Sequence, residues 1–138
     1  MISSLQRVLT TLSHKEPDRV PVFFLFTMHG AKELGLSIEE YFSKPEYVME
    51  GQIRLRKKYR NDCIYSFFYA SVELEAFGGK TIFSNDGPPN AGEPIISNIN
   101  DIKKLTVPKI ESSPSLIKVI KAIEMIKEGE TNEKIKKY

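Results

Sequence analysis

The sequence predicts an α/β protein: the N-terminal portion of a TIM (β/α)8 barrel, about two βα units plus a β-hairpin, with the barrel not closed. Three observations lead there. Residues 20–26 read VPVFFLF, a continuous apolar run of the kind a strand buried on both faces shows. A second mainly apolar run, CIYSFF at 63–68, follows a helical stretch, so the order is strand, helix, strand, which implies a right-handed βαβ unit and a parallel pair. The chain has 138 residues, whereas a complete barrel takes ~250. Two parallel strands cannot cover both of their own faces, and a small finished α/β domain lacks enough strand candidates.

Composition narrows the function classes. Twenty Lys and Arg against 18 Asp and Glu leave a net charge of +2, which gives no global attraction to nucleic acid or to an anionic membrane. A hydrophobic fraction of 41% with 28% charged residues is globular rather than disordered. The single cysteine, Cys63, excludes an internal disulfide and a cysteine zinc cluster within one chain. No apolar run approaches the ~20 residues of a membrane helix. Residues 1–15 carry no secretory pattern, so a reducing, cytoplasmic setting is expected.

Element by element, Leu5, Val8, Leu9 and Leu12 have the spacing of one buried helical stripe, with Ser3 or Ser4 as cap; Pro17 and Asp18 break it. His14 at its end favours the helix dipole. Pro21 sits at the start of the first strand, where its missing N–H is tolerated. Thr27, Met28, His29 and Gly30 then form a polar turn at the strand's C-terminal end. Ser37 with Glu40, and Ser43 with Glu46, both have capping-box spacing, and a helix over 45–60 follows with Val48, Gln52, Leu55 and Tyr59 on one face. Its cationic last turn reads as a solvated, dipole-complementing end, because no aromatic stacking platform accompanies it. Cys63 lies inside the second strand as a small buried hydrophobe.

Residues 72–77 make a helical turn closed by Gly78 and Gly79. Residues 80–83 and 93–96 predict a hairpin around Asp86-Gly87-Pro88-Pro89. Asn98 or Asn100 caps one turn of helix into Leu105. Ser113-Pro114 opens a last helix with Leu116, Val119, Ile120, Ile123 and Ile126 as its apolar stripe, ended by Gly129 and followed by a frayed tail.

Three stretches, RVPVFFLFTMHGAKELGLSIEEYFSKPEYVMEGQ, DCIYSFFYASVELEAFGGK, and DGPPNAGEPIIS with DIKKLTVP after it, together resemble the N-terminal part of the uroporphyrinogen decarboxylase (URO-D) superfamily, which also contains the corrinoid-dependent methyltransferases of the methylcobalamin:coenzyme M type. The resemblance covers residues 1–128 as a barrel segment and leaves 129–138 as a tail outside it. It implies a TIM barrel with its pocket at the C-terminal strand ends. It also implies either cofactor-free decarboxylation of a tetrapyrrole or methyl transfer from a corrinoid protein to a thiol activated by zinc on a His-x-Cys motif and a later Cys.

The departures bear on the site. Decarboxylases carry an arginine-containing R-Q-A-G-R-Y stretch after the first strand; here it is Thr27, Met28, His29, Gly30, Ala31 and Lys32, without the guanidinium forks that pair with substrate carboxylates. Tyr69 stands where the family commonly has an aspartate, and Glu73 and Glu75 in VELEAFG are closer to the methyltransferase branch. The substrate-pocket candidates are thus Thr27, His29, Gly30, Tyr69, Glu73 and Glu75, with no catalytic or metal residue expected in this chain. His29 either lines the pocket or faces water. Tyr69 either lines it or fills the core. At most one of the two glutamates faces a pocket, since they are two apart on a helical turn. Their relatives' zinc and corrinoid are not expected here: His14, His29 and Cys63 lack ligand spacing, and the zinc motif belongs to the second half of a barrel.

The functional expectation is a truncated methyltransferase-like protein, not catalytic alone. A decarboxylase fragment of porphyrin biosynthesis is one alternative. Another is a non-catalytic interaction protein that forms a homo-oligomer or pairs with a separately encoded remainder of the barrel. Nucleic-acid and membrane partners are not expected. An independent small enzyme has no nucleophile–base pair or phosphate loop to support it.

Overall fold

The computed structural model describes residues 2–66 and 68–135, without the side chains of 130–135. Six α-helices run in the order α1 (Ser4–Leu12), α2 (His29–Leu34), α3 (Ile38–Ser43), α4 (Pro45–Tyr59), α5 (Val72–Ala76) and α6 (Pro114–Ile135). Between α5 and α6 lie strands β1 (Thr81–Ile82) and β2 (Asn90–Ala91), then 3-10 turns Ile99–Lys104 and Ile110–Ser112. The helices α2, α4 and α6 pack in sequence, with α3 against α4 and α5 against α6. The architecture is helix-rich with one small antiparallel ladder, and no closed barrel forms among the described residues.

The two expected strands are present as extended chain but not as a parallel ladder. They meet at one backbone bond, from Asp62 N to Val22 O at 2.8 Å, and through the Phe23 and Tyr65 rings at 5.9 Å. Phe26 N turns back to Phe24 O at 3.0 Å, a three-residue turn that withdraws both groups from any ladder. The first segment is left largely uncovered by the described residues: Val20 is 80% exposed, and Phe23, Phe24 and Leu25 are exposed as well, whereas Phe68 of the second is buried. A parallel pair needs neighbours and helices on both faces to persist. Residue 67, inside the second expected strand, lies outside the described residues.

One buried carboxylate ties these segments to α1. The Asp62 side chain is fully buried and takes Arg7 Nη1 at 2.6 Å, Arg19 Nη1 at 2.8 Å and the Val22 amide at 2.8 Å. Arg7 also grips Asp18 through Nε at 2.6 Å and Nη2 at 2.7 Å. This reverses the reading of α1. Arg7 is the buried residue, about half a turn from the leucine stripe, so Leu5 (64% exposed), Leu9 and Leu12 face outward. Ion pairing and hydrogen bonds at Asp62 outweigh the apolar stripe in orienting the helix. The capping box of α1 is present, with Ser3 Oγ accepting from Gln6 N and Gln6 Oε1 from Ser3 N.

The core is aromatic. Tyr41 and Phe42 of α3 are fully buried; Phe42 meets Phe68 at 5.6 Å and Tyr69 at 5.2 Å between ring centroids, and Tyr69 meets Phe83 at 5.5 Å. The Tyr41 ring lies where α2 crosses α4 at Gly30 and Gly51: a Cβ on Gly51 would stand 2.7 Å from the ring and 2.9 Å from Gly30 Cα. Burial pushes the Tyr41 phenol up to about 12. Gln52 of α4 donates to the Phe26 carbonyl and lies 3.4 Å from the Thr27 carbonyl, holding the end of the first extended segment.

Other expectations divide. The Ser37–Glu40 box, the Asn98 cap, the turn at 72–77 and the 45–60 helix are found at their places. The Ser43–Glu46 box is not: Ser43 Oγ donates to Glu40 O and belongs to α3, while Lys44 joins the two helices without a side-chain cap. Helix α2 and the extent of α3 go beyond the sequence expectation: of the turn expected at 27–30, His29 and Gly30 instead open α2. The hairpin's second strand is Asn90–Ala91, not 93–96, with Thr81 opposite Ala91 and Ile82 opposite Asn90. Gly92 N closes it on Lys80 O at 2.7 Å, and Pro94 has no N–H to continue it.

Helix α6 passes through Gly129 to Ile135 rather than stopping there. A Cβ at Gly129 would come 3.2 Å from Ile53 Cδ1, so this glycine serves helix contact, not termination. Residues 136–138 of the expected tail lie outside the described residues. The buried face of α6 is Ser115, Ala122 and Ile126; Ile120 and Ile123 are exposed. Lys58, in the cationic turn of α4, pairs with Glu33 of α2 at 2.7 Å. Cys63 is half-buried rather than fully enclosed. No helix among the described residues is long and apolar enough to cross a membrane.

Two outcomes follow. Asp62→Asn is expected to cost on the order of 3 kcal/mol in urea unfolding at neutral pH. Burial pushes the Asp62 carboxyl up, but the Val22 amide, Ser4, Arg7 and Arg19 outweigh it and hold it at about 2. Its contribution is therefore complete above the unfolded value of about 3.9 and disappears as the pH falls through about 2; the variant's stability should change less over that window. Gly51→Ala forces a methyl into the Tyr41 ring and should lower stability by about 2 kcal/mol, despite alanine's helix preference, as read by chemical denaturation.

Candidate functional site

The site is assembled at the C-terminal end of the second extended segment, where Tyr69 leads into α5. Tyr69 is 3% exposed, and Phe42, Phe68 and Phe83 pack around its ring. Its hydroxyl donates to Glu75 Oε1 at 2.8 Å and faces Lys118 Nζ of α6 at 3.3 Å. The lysine also lies over the rings of Phe68 and Tyr69, 5.6 and 5.5 Å from their centroids. A run of polar hydrogens thus leads from ammonium to phenol to carboxylate.

The local sequence explains the placement. Ser71 opens α5, its hydroxyl bonded to Thr81 Oγ1 at 2.8 Å instead of capping the helix, which fastens the turn to β1. Glu75 then falls on the side of α5 turned to Tyr69, while Glu73 is exposed beside a shallow apolar groove with Phe68, Ile110 and Leu116. Burial, then the bond to the Glu75 carboxylate, raises the Tyr69 phenol well above its ordinary value. Burial lowers the Lys118 ammonium, with Glu75 opposing it. The arrangement is suited to holding or passing a proton at the Tyr69 oxygen; the phenol stays protonated at neutral pH.

A groove of about 520 Å³ opens beside this cluster, between the first turns of α4 and α6, with Glu46, Glu75, Ser115, Lys118 and Lys121 among its walls.

The sequence-predicted residues separate. Thr27 is half-buried and gives its carbonyl to Gln52. His29 is exposed at the start of α2, edge-on to the Phe26 ring at 5.7 Å. Gly30 is buried under Tyr41, where its missing side chain admits the ring. Tyr69 and Glu75 come together. Lys118, which sequence reasoning did not single out, completes them; its sole local signal is a lysine between the apolar positions Ile117 and Val119 of α6. Among the described residues no three His, Cys, Asp or Glu side chains converge. His29 stands edge-on to Phe26, and Cys63 lines a groove beside Ser3 and Leu5.

The uroporphyrinogen decarboxylase (URO-D) family model matches residues 3–135. The chain belongs to that family. In fold, this URO-D family chain is similar to a methyltransferase from Methanosarcina mazei, with a TM-score of 0.68 and 17% sequence identity over 94% of this chain. It spans 39% of that protein's length. Among curated proteins none matches the chain.

Tyr69→Phe keeps the ring packing and removes the link between Lys118 and Glu75. It should cost about 1 kcal/mol in urea denaturation, whereas Tyr69→Ala should cost about 4 kcal/mol.

Proposed function

We propose that this chain supplies the N-terminal part of a URO-D-type (β/α)8 barrel, on the methyltransferase side of the family, and does not catalyse by itself. The observation carrying this reading is the first extended segment, where Phe23, Phe24 and Leu25 are exposed, in a fold that aligns with 39% of a methyltransferase. In this reading 20–26 and 63–68 are the first two barrel strands, and Thr27, His29 and Tyr69 stand at their C-terminal ends, where barrel pockets open. Glu75 and Lys118 fix the Tyr69 hydroxyl from behind. Glu73 and Gly30 play no direct part. Zinc, and contact with a corrinoid protein, belong to the remaining portion of the barrel.

A decarboxylase role is less well supported. Its aspartate is replaced by Tyr69, whose hydroxyl is already engaged by Glu75 and Lys118, and the arginine stretch is absent. The interaction reading is compatible with the same surface: Val20, Phe23, Phe24 and Leu25 offer apolar area to a second copy or to a separately encoded remainder.

Two measurements test the proposal. The DNA downstream, read in all frames, should continue into further strands with a His-x-Cys and a later Cys. Unrelated sequence there would overturn the barrel reading. The purified 138-residue chain should self-associate in gel filtration with light scattering and bind a hydrophobic dye; a stable monomer without dye binding would show that the exposed segments need no cover.

A further inference from the structure

We infer that the groove between the first turns of α4 and α6 binds a small singly charged oxyanion of the carboxylate class. The inference rests on geometry independent of the barrel reading. Ser115 lines this groove at 6% exposure, and its hydroxyl is buried with no hydrogen-bond partner among the described residues. A buried hydroxyl left unbonded costs stability, so such a group in a groove wall marks a place where a ligand oxygen supplies what the chain does not.

The surroundings select the charge. Ser115 belongs to the first turn of the 22-residue helix α6, and Ser113, the residue before that helix, spends its hydroxyl on Lys109 O at 2.7 Å rather than on the helix amides. Pro45 and Glu46, the first residues of the 15-residue helix α4, line the same groove, and α4 has no side-chain cap. Each helix start carries about half a positive charge. Lys118 and Lys121 offset the two carboxylates there, Glu46 and Glu75. Ser43, the last residue of the short helix α3, brings a negative helix end to the same wall, so at most about one positive charge remains, enough for a monoanion and too little for a dianion among two carboxylates. Glu75 already accepts from Tyr69, which engages one of its oxygens. The half-buried Lys118 ammonium has given up part of its hydration and gains most from an anionic partner.

The test is an amide chemical-shift titration of the whole chain with sodium acetate as probe, at ionic strength held constant with sodium chloride, and in parallel with sodium sulfate. Acetate should give saturable shifts at Ser115, Leu116 and Lys118. Lys118→Met should weaken it by about tenfold, the worth of one charge-assisted hydrogen bond. Because the Lys118 stem also packs on Phe68 and Tyr69, Lys121→Met at an exposed position gives a second reading and should weaken acetate severalfold. Shifts equal to those in chloride alone, or no weakening in either folded variant, would overturn the site. Tighter saturation by sulfate would overturn the monoanion assignment. None of these outcomes depends on whether the downstream DNA encodes a barrel.

Discussion

The buried Asp62 carboxylate governs how the first half of the chain is arranged. It is fully enclosed, and it accepts from Arg7 of α1, from Arg19 and from the Val22 amide. A carboxylate removed from water is tolerable only when donors replace the water, and here they come from separate stretches of chain. Each donor is thereby fixed in place. Arg7 sets the rotation of α1, Val22 sets where the first extended segment meets the second, and Gln52 secures the far end of that segment at Phe26. The aromatic core then builds from Tyr41 and Phe42 outward to Tyr69.

That order of dependence explains why the family resemblance and the lone geometry of this chain differ. The α1 and α3 caps and the Gly30–Gly51 crossing are satisfied by contacts within the described residues. The first extended segment is held at its ends, at Val22 by Asp62 and at Phe26 by Gln52, and no sheet pairs it with the second among the described residues. Tyr69 follows the second extended segment with its ring in the core and its oxygen committed to Glu75 and Lys118.

Local chemistry was legible in the sequence. The Ser3 and Ser37 caps, the Asn98 cap, the Gly78 stop and the Pro-rich hairpin turn depend on residues within a few positions of one another. Burial was less so, because it depends on distant partners. The leucine stripe of α1 has perfect helical spacing yet faces outward, since Arg7 finds Asp62 55 positions along the chain. Lys118 gains its role through Tyr69, 49 positions away, and nothing near it in sequence announces this. The short helix α2 was missed because its start, Met28, supplies no capping side chain. The strands were misjudged as ladders for a related reason: apolar runs record what a segment is built to pack against, not whether that neighbour is at hand.

The glycine inside α6 carries one more implication. Its bare Cα lets the helix lie close to Ile53, where an added methyl would already press on the Cδ1 atom. Positions 53 and 129 therefore share a single volume. In any lineage of this protein a larger residue at one should arrive with a shorter one at the other, and the two columns should drift together although 76 positions separate them.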